Sequence, residues 1–294
     1  MIHLLLMVSL LLSPLAVTRD QQTRATDTRT RTIYVSALDG EGKPVTDMTA
    51  ADFIVREDGV AREVLKAGPA TEQLTISILV DDSQASSDSI QYLRDGLQSF
   101  VDKLSGKADI ALASIGERPT SLVDYTTSGE ALKKAINRIF ARPGSGAYLL
   151  DGIVDVSKGL QKREAMRPTI VVLTFERGPE FSNRYYESVL DELLKSKAAL
   201  HVLAIGTPSD DQSDEMRNRN LVIAEGTLRT GGRRDQLLAS LSIPERMRQV
   251  ADELLNQYIV TYSAPETLIP PTKVEVSTKR SGVTVRARTR LAGK

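Results

Sequence analysis

Residues Leu74–Ser86 read LTISILVDDSQAS, an apolar run that ends in two aspartates and a cluster of small polar residues. A strand without polar alternation is covered on both faces, the situation of a parallel sheet flanked by helices. In open α/β sheets the binding crevice lies just beyond the carboxyl ends of the strands. Asp81, Asp82, Ser83 and Ser86 stand at that place and are the first candidate ligand-binding residues.

Downstream, Ile90, Leu93, Leu97, Phe100, Val101 and Leu104 recur at helical spacing, predicting a helix over Ser86–Leu104 capped by Ser86 or Ser87. Apolar strands at Ala108–Gly116, Thr169–Glu176 and Ala199–Gly206 then alternate with helical patterns at Ser128–Phe140, after the turn Pro143–Gly146, and at Tyr185–Lys197. Ser121–Tyr125 adds a short strand. The alternation predicts a doubly wound, mostly parallel Rossmann-like sheet over residues 71–206. Thr207–Asn220 is polar and lacks a period, so it reads as a surface loop. Ser242-Ile243-Pro244-Glu245 opens a helix with proline in its first turn, and residues 207–256 therefore read as loop and final helix.

Residues 1–17, MIHLLLMVSLLLSPLAV, are apolar, but as a helix their core would reach only ~20 Å against a bilayer's ~30 Å. They read as a signal peptide, which predicts an exported protein, periplasmic or extracellular, without membrane insertion after cleavage. Residues 18–31 are polar and read as a disordered tether. Residues 32–70 form a β segment with a hairpin at Asp58-Gly59 and a capping pair at Thr49 and Asp52. Residues 257–294 hold three more strand-like stretches. Both chain ends are expected to join in a small antiparallel β unit beside the α/β domain.

The 294 residues carry 38 basic and 38 acidic side chains, so no charge excess points to nucleic acid. The absence of cysteine removes disulfides, thiolate metal sites and cysteine nucleophiles. With two histidines, and only His201 beyond the leader, a zinc hydrolase lacks its ligands. No phosphate-binding glycine loop follows any predicted strand, and no nucleophile elbow surrounds a serine. These absences favour a non-enzymatic chain.

The strand ILVD with Asp81-x-Ser83, the stretch GSGAYLLDGI, the strand VVLT, the GTPSD loop, TGGR at Thr230–Arg233 and QYIVTY at Gln257–Tyr262 occur in one order. In that order they resemble the von Willebrand factor type A domain, and among its relatives the bacterial group with flanking β segments. The resemblance spans roughly Tyr34 to Arg290. It implies a protein-binding module in which an Asp-x-Ser-x-Ser loop, a threonine and a later aspartate hold a divalent cation. Asp81 and Ser83 match the first two positions, while Ala85, Ala147 and Phe175 stand at the other three, with Glu176 beside the last. The expectation is an exported protein-interaction module with a degenerate metal-ion-dependent adhesion site, a protein partner and no cofactor. Mg²⁺ is the cation such a site would otherwise take. The alternatives are a Mg²⁺-dependent adhesion or sensing domain with unusual ligands, and an envelope hydrolase using acidic residues.

Overall fold

The computed structural model describes residues 29–211 and 213–291. The expected signal peptide and nearly all of the tether lie outside them. The first strand, β1 (Thr30–Leu38), begins two residues inside the expected tether. It is followed by β2 (Phe53–Glu57), β3 (Val60–Arg62) and β4 (Val64–Pro69). Asp58 at φ 44° and Gly59 at φ 83° both adopt the left-handed conformation that a tight hairpin between β2 and β3 requires. Thr49 and Asp52 close the expected capping box on a single 3₁₀ turn.

The central strand is β5 (Leu74–Val80), all seven residues of which are buried. Its helix does not start at Ser86. The chain first makes a 3₁₀ turn over Gln84–Ser89, in which the Ser86 hydroxyl donates back to the Ser83 carbonyl at 2.7 Å, and α1 runs from Ile90 to Leu104. Then come β6 (Ala108–Ser114), β7 (Thr120–Thr126), α2 (Gly129–Ile136), α3 (Leu149–Lys162), β8 (Arg167–Phe175), α4 (Tyr186–Ser196) and β9 (Ala199–Ile205).

The expected loop at Thr207–Asn220 is the largest departure from the sequence reading. From Asp214 it is helix: α5 (Asp214–Thr230) is capped by the Ser213 hydroxyl and ended by Gly231 at φ 80°. Its buried face includes Arg219, Gly226, Thr227 and Thr230 beside Met216, Val222 and Ile223, so small and polar residues obscure the apolar period. The segment that follows, β10 (Arg234–Leu237), pairs with β9, and α6 (Ile243–Leu255) packs on α1. Residues 207–256 are thus part of the α/β body, which extends past the expected boundary at Gly206.

The strand order is β10-β9-β8-β5-β6-β7, parallel except for β7. Apolar side chains of α1, α2 and α6 fill one face, and those of α3, α4 and α5 the other. Such side chains contribute ~1.5–3 kcal/mol each on full burial, the main force holding the layers together.

The chain ends meet as expected. β11 (Tyr258–Ser263), β12 (Val274–Thr278) and β13 (Thr284–Ala287) complete two antiparallel sheets, β13-β1-β11-β4 and β12-β2-β3, which share the core of Val35, Phe53, Tyr258 and Tyr262. Arg167, 5% exposed, ties this unit to the α/β body: it donates to the Gln257 side chain at 2.9 Å and to the carbonyls of Leu254 and Ala70. Gln257 in turn donates to Ser36 on β1.

Candidate functional site

The carboxyl ends of β5 and β8 lie side by side, since the Asp81 N–H donates to the Leu173 carbonyl at 2.9 Å. Asp81 Oδ1 accepts from the Ser83 N–H at 3.0 Å. Oδ2 accepts from the Thr174 hydroxyl and the Phe175 N–H, both at 3.3 Å. Burial pushes the Asp81 carboxyl up, against the pull of the Ser83 and Phe175 hydrogen bonds and of Arg219.

Asp82 points the other way. Oδ1 accepts from Ser114 Oγ at 2.5 Å and the Gly116 N–H at 2.8 Å, and Oδ2 pairs with Arg142 Nε at 2.9 Å. A Cβ on Gly116 would stand 2.4 Å from Asp82 Oδ1, so glycine is what lets the β6 loop close on this carboxylate. Asp82 also accepts the Arg142 N–H on its carbonyl, and so fixes the loop that leads into α3.

Thr174 lies near the end of β8 and Glu176 in the turn just beyond it, two residues on and on the same face. Across that face lies Arg219 of α5, 1% exposed. Its Nη2 donates to Thr174 Oγ1 at 3.2 Å and to the Phe175 carbonyl at 3.1 Å. Its Nη1 is 3.7 Å from Glu176 Oε2, while Arg234 pairs with Glu176 Oε1 at 2.9 Å. A buried guanidinium is thereby linked through one hydroxyl to the Asp81 carboxylate.

Glu180, 4% exposed, closes the start of α3. Its carboxylate accepts from the N–H groups of Leu149 and Leu150 at 3.3 and 3.5 Å, donors that a helix N-terminus leaves without partners, and from that of Ser182 at 3.1 Å. Burial nevertheless raises its pKa to about 7, outweighing those bonds and the Arg219 charge.

Of the five candidate residues, Asp81, Ser83 and Glu176 belong to this β5–β8–α5 junction, and Asp82 and Ser86 shape its neighbours. All are at most 2% exposed. Their atoms set the form of the face rather than lie on it. Thr174, Glu180 and Arg219 escaped the sequence reading. Thr174 was legible as the residue two before Glu176 on the same strand face; an arginine in a polar stretch carries no comparable signal.

The donor set fits a divalent cation poorly. Ala85, Ala147 and Phe175 supply no side-chain oxygen, both Asp81 oxygens already accept protein hydrogen bonds, and a guanidinium stands on Thr174. The Ser83 hydroxyl is buried without a partner, the one free oxygen at the junction among its described serines and threonines. Among the described residues no three His, Asp or Glu side chains are grouped to hold a metal ion. His201 lies wholly buried in β9 with neither ring nitrogen hydrogen-bonded, and burial lowers its pKa to about 4, so it is a neutral interior side chain.

Five large apolar side chains are exposed along this edge. Phe140, Phe181, Tyr185, Leu238 and Leu241 are between 49% and 77% exposed, all in loops or turns beyond the carboxyl ends of the strands. The loop of Phe140 is bound to Asp82 through Arg142, that of Phe181 to Ala147, and the turn of Leu241 to Ser89 through Ser240. Among the described residues no helix is long and apolar enough to cross a membrane.

No family model matches the sequence, and no curated protein matches it. Solved structures do. A von Willebrand factor type A protein from Catenulispora acidiphila superposes with a TM-score of 0.50 at 11% identity, over 91% of this chain and 73% of that one. Proximal thread matrix protein 1 from the mussel byssus superposes with a TM-score of 0.51 at 14% identity, over 67% of this chain and 50% of that one. The six-stranded sheet with one antiparallel edge, its two helical layers and these superpositions agree: the chain has the fold of a von Willebrand factor type A domain.

Proposed function

We propose that the protein is an exported, non-enzymatic module that recognises a protein partner through the carboxyl-end face of its α/β sheet, without a divalent cation. The observation that carries this reading is the set of exposed apolar side chains, Phe140, Phe181, Tyr185, Leu238 and Leu241, distributed over the loops of that face. Aromatic and large aliphatic side chains held on a rigid scaffold are what protein interfaces are anchored by, and an apolar surface of this kind is costly to leave in water. Cation independence is supported by Arg219, whose fixed positive charge stands against Thr174, Phe175 and Glu176. The degenerate ligand set, Asp81 and Ser83 with Ala85, Ala147 and Phe175, leaves an Mg²⁺ ion mostly water for its shell. Export rests on the apolar run at residues 1–17. The lack of activity is supported by the buried His201, the one histidine among the described residues, and by carboxylates engaged in structural bonds.

The test is capture from cell-envelope extract with the wild type and with Tyr185→Ala combined with Leu241→Ser, each in Mg²⁺ and in chelator. A partner retained by the wild type in both buffers and lost by the variant is the expected result. Retention only in Mg²⁺ would instead favour a metal-dependent adhesion module, and equal retention by the variant would move the binding surface elsewhere. Calorimetric titration with Mg²⁺ and Mn²⁺ should show no saturable heat.

A further inference from the structure

The segment between β11 and β12 reads APETLIPPT from Ala264 to Thr272. Leu268 and Ile269 are 104% and 84% exposed, more than any other large apolar side chain among the described residues. Both ends of the segment are tied down. The Ala264 N–H donates to the Arg29 carbonyl at 2.7 Å, and the Thr272 N–H to the Asp58 carboxylate at 3.2 Å. Between them Pro270 and Pro271 fix φ near the polyproline II value, Pro270 holds Ile269 extended, and the Thr267 hydroxyl donates to the Ile269 carbonyl at 2.8 Å. Two bare aliphatic side chains are thus carried on a stiff segment that does not cover them.

At the other end of the sheet a surface of matching kind is built around Phe181. Its ring meets that of Tyr148 edge-on, with centroids 6.0 Å apart and planes at 76°. A Cβ on Gly146 would stand 2.7 Å from the Phe181 ring and 2.9 Å from Pro179 Cγ, so these two side chains close over the glycine. The Phe181 N–H donates to the Ala147 carbonyl and the Ala147 N–H to the Pro179 carbonyl, both at 2.8 Å, which fixes the platform in advance. Rigid aromatic rings are the surface on which polyproline II segments dock. Charge agrees as well. The one ionised side chain of APETLIPPT is Glu266, 72% exposed in its ion pair with Arg29. From Arg177 to Tyr185 the exposed charges are two arginines: Arg177, which donates to the Thr207 hydroxyl, and Arg184, which pairs with Asp151.

Within one chain the two surfaces do not meet. Pro270 and Pro271 stand where β8 and β9 begin, Phe181 follows the end of β8, and the nine residues of β8 put roughly 30 Å between them. We propose that the Pro265–Pro271 segment of one copy docks on the Phe181 platform of the next, with Leu268 and Ile269 against the rings and Glu266 toward the arginines. This rests on the reading of the carboxyl-end face as a protein-binding surface, and it names the partner as a second copy of the chain. A contact between two different surfaces at opposite ends is head-to-tail, so it adds copies in line instead of closing a pair. One segment on one aromatic pair is a small interface, and the assembly is weak and reversible.

The experiment is sedimentation velocity over a concentration series, with the wild type and two variants. Leu268→Ser combined with Ile269→Ser removes the segment's anchors, and Phe181→Ala combined with Arg184→Glu removes the platform. The wild type should grow past the dimer as its concentration rises. Each variant alone should associate about tenfold or more weakly. An equal mixture of the two should form a one-to-one dimer and stop there, because one intact platform and one intact segment remain, and that restored pairing also shows that both variants fold. A wild type that stays monomeric or stops at a dimer, association that survives in either variant alone, or a mixture that stays monomeric while both variants keep the wild-type dichroism spectrum overturns the proposal. A monomeric wild type that still captures a different protein from envelope extract would keep the face as a binding surface and remove the second copy as its partner.

Discussion

A fully buried guanidinium is tolerable only where fixed acceptors replace the water it has lost, and Arg219 has four: Thr174 Oγ1, the Phe175 carbonyl, Asn220 Oδ1 and the Glu176 carboxylate. Arg219→Met should leave those acceptors facing an apolar chain and cost ~3–5 kcal/mol in urea unfolding, the range for breaking a buried charge pair. A loss below about 1 kcal/mol would show that the cation is not holding the junction. Glu180 and His201 make a second, opposed pair of residue-scale effects. Burial raises Glu180 from 4.5 to about 7, so the folded chain keeps a proton that the unfolded chain has released. That contribution is complete below pH 4.5 and is lost as the pH rises through about 7, an effect of order 3 kcal/mol. Burial lowers His201 from 6.5 to about 4, so its contribution is complete above pH 6.5 and is lost as the pH falls through about 4. Glu180→Gln should therefore unmask the histidine and make stability fall steeply on acidification, read as urea midpoints across this range. A variant profile parallel to the wild type would show that Glu180 ionises normally. Glu180 and Arg219 were not legible in advance: a glutamate in a loop and an arginine in a polar stretch without a period read as solvated groups, whereas the start of α3 takes up the one and the approach of α5 to β8 buries the other.

At the scale of elements, the run from Gly206 to Leu255 decides whether the sheet is complete. Gly232 leads from α5 into β10, and a Cβ there would lie 1.8 Å from the Leu200 carbonyl oxygen, a backbone atom that cannot move aside. Gly232→Ala should cost about 3 kcal/mol or more in urea unfolding, through forced separation of β9 and β10; an unchanged midpoint would show that the edge strand bends freely. A chain ending at Gly206 should fail to unfold cooperatively, because it lacks the α6 residues Ile243 and Met247 that pack on Gly96 of α1 and loses β10 from the edge. The strands β5, β8 and β9 were readable because burial on both faces leaves an unbroken apolar run. The hairpin was readable from its Asp-Gly turn, and α6 from its proline start. Helix α5 was not, because its inward face is built from Gly226, Thr227, Thr230 and Arg219. Glycine there is a packing requirement: a Cβ on Gly226 would stand 2.9 Å from the Leu200 side chain.

For the whole molecule, the two chain ends are cross-linked to the α/β body by charge as well as by strands. Glu253 of α6 is 1% exposed and pairs with Arg286 of β13 and, at 3.4 Å, with Arg233 beside β10. Burial would raise its carboxyl, yet the His201 imidazole, which gains its charge only in acid, and then the Arg286 guanidinium hold it at about 2. Its ionised form is thus the mortar between the units, and the joint Arg167–Gln257–Ser36 lies on the same boundary. With one sheet made from both termini and the boundary filled by buried charge, the units should unfold together. Glu253→Gln leaves Arg233 and Arg286 without their shared carboxylate and should cost ~3–5 kcal/mol. Because the chain contains no tryptophan, tyrosine emission, to which Tyr34, Tyr258 and Tyr262 of the β unit contribute three of eight rings, can be followed against far-ultraviolet dichroism, which is dominated by the helices of the α/β body. In the wild type and in Glu253→Gln the two signals should shift together, to one lower midpoint in the variant. A tyrosine transition that separates from the dichroism in the variant would mean that the β unit is an independent attachment held on by this carboxylate alone.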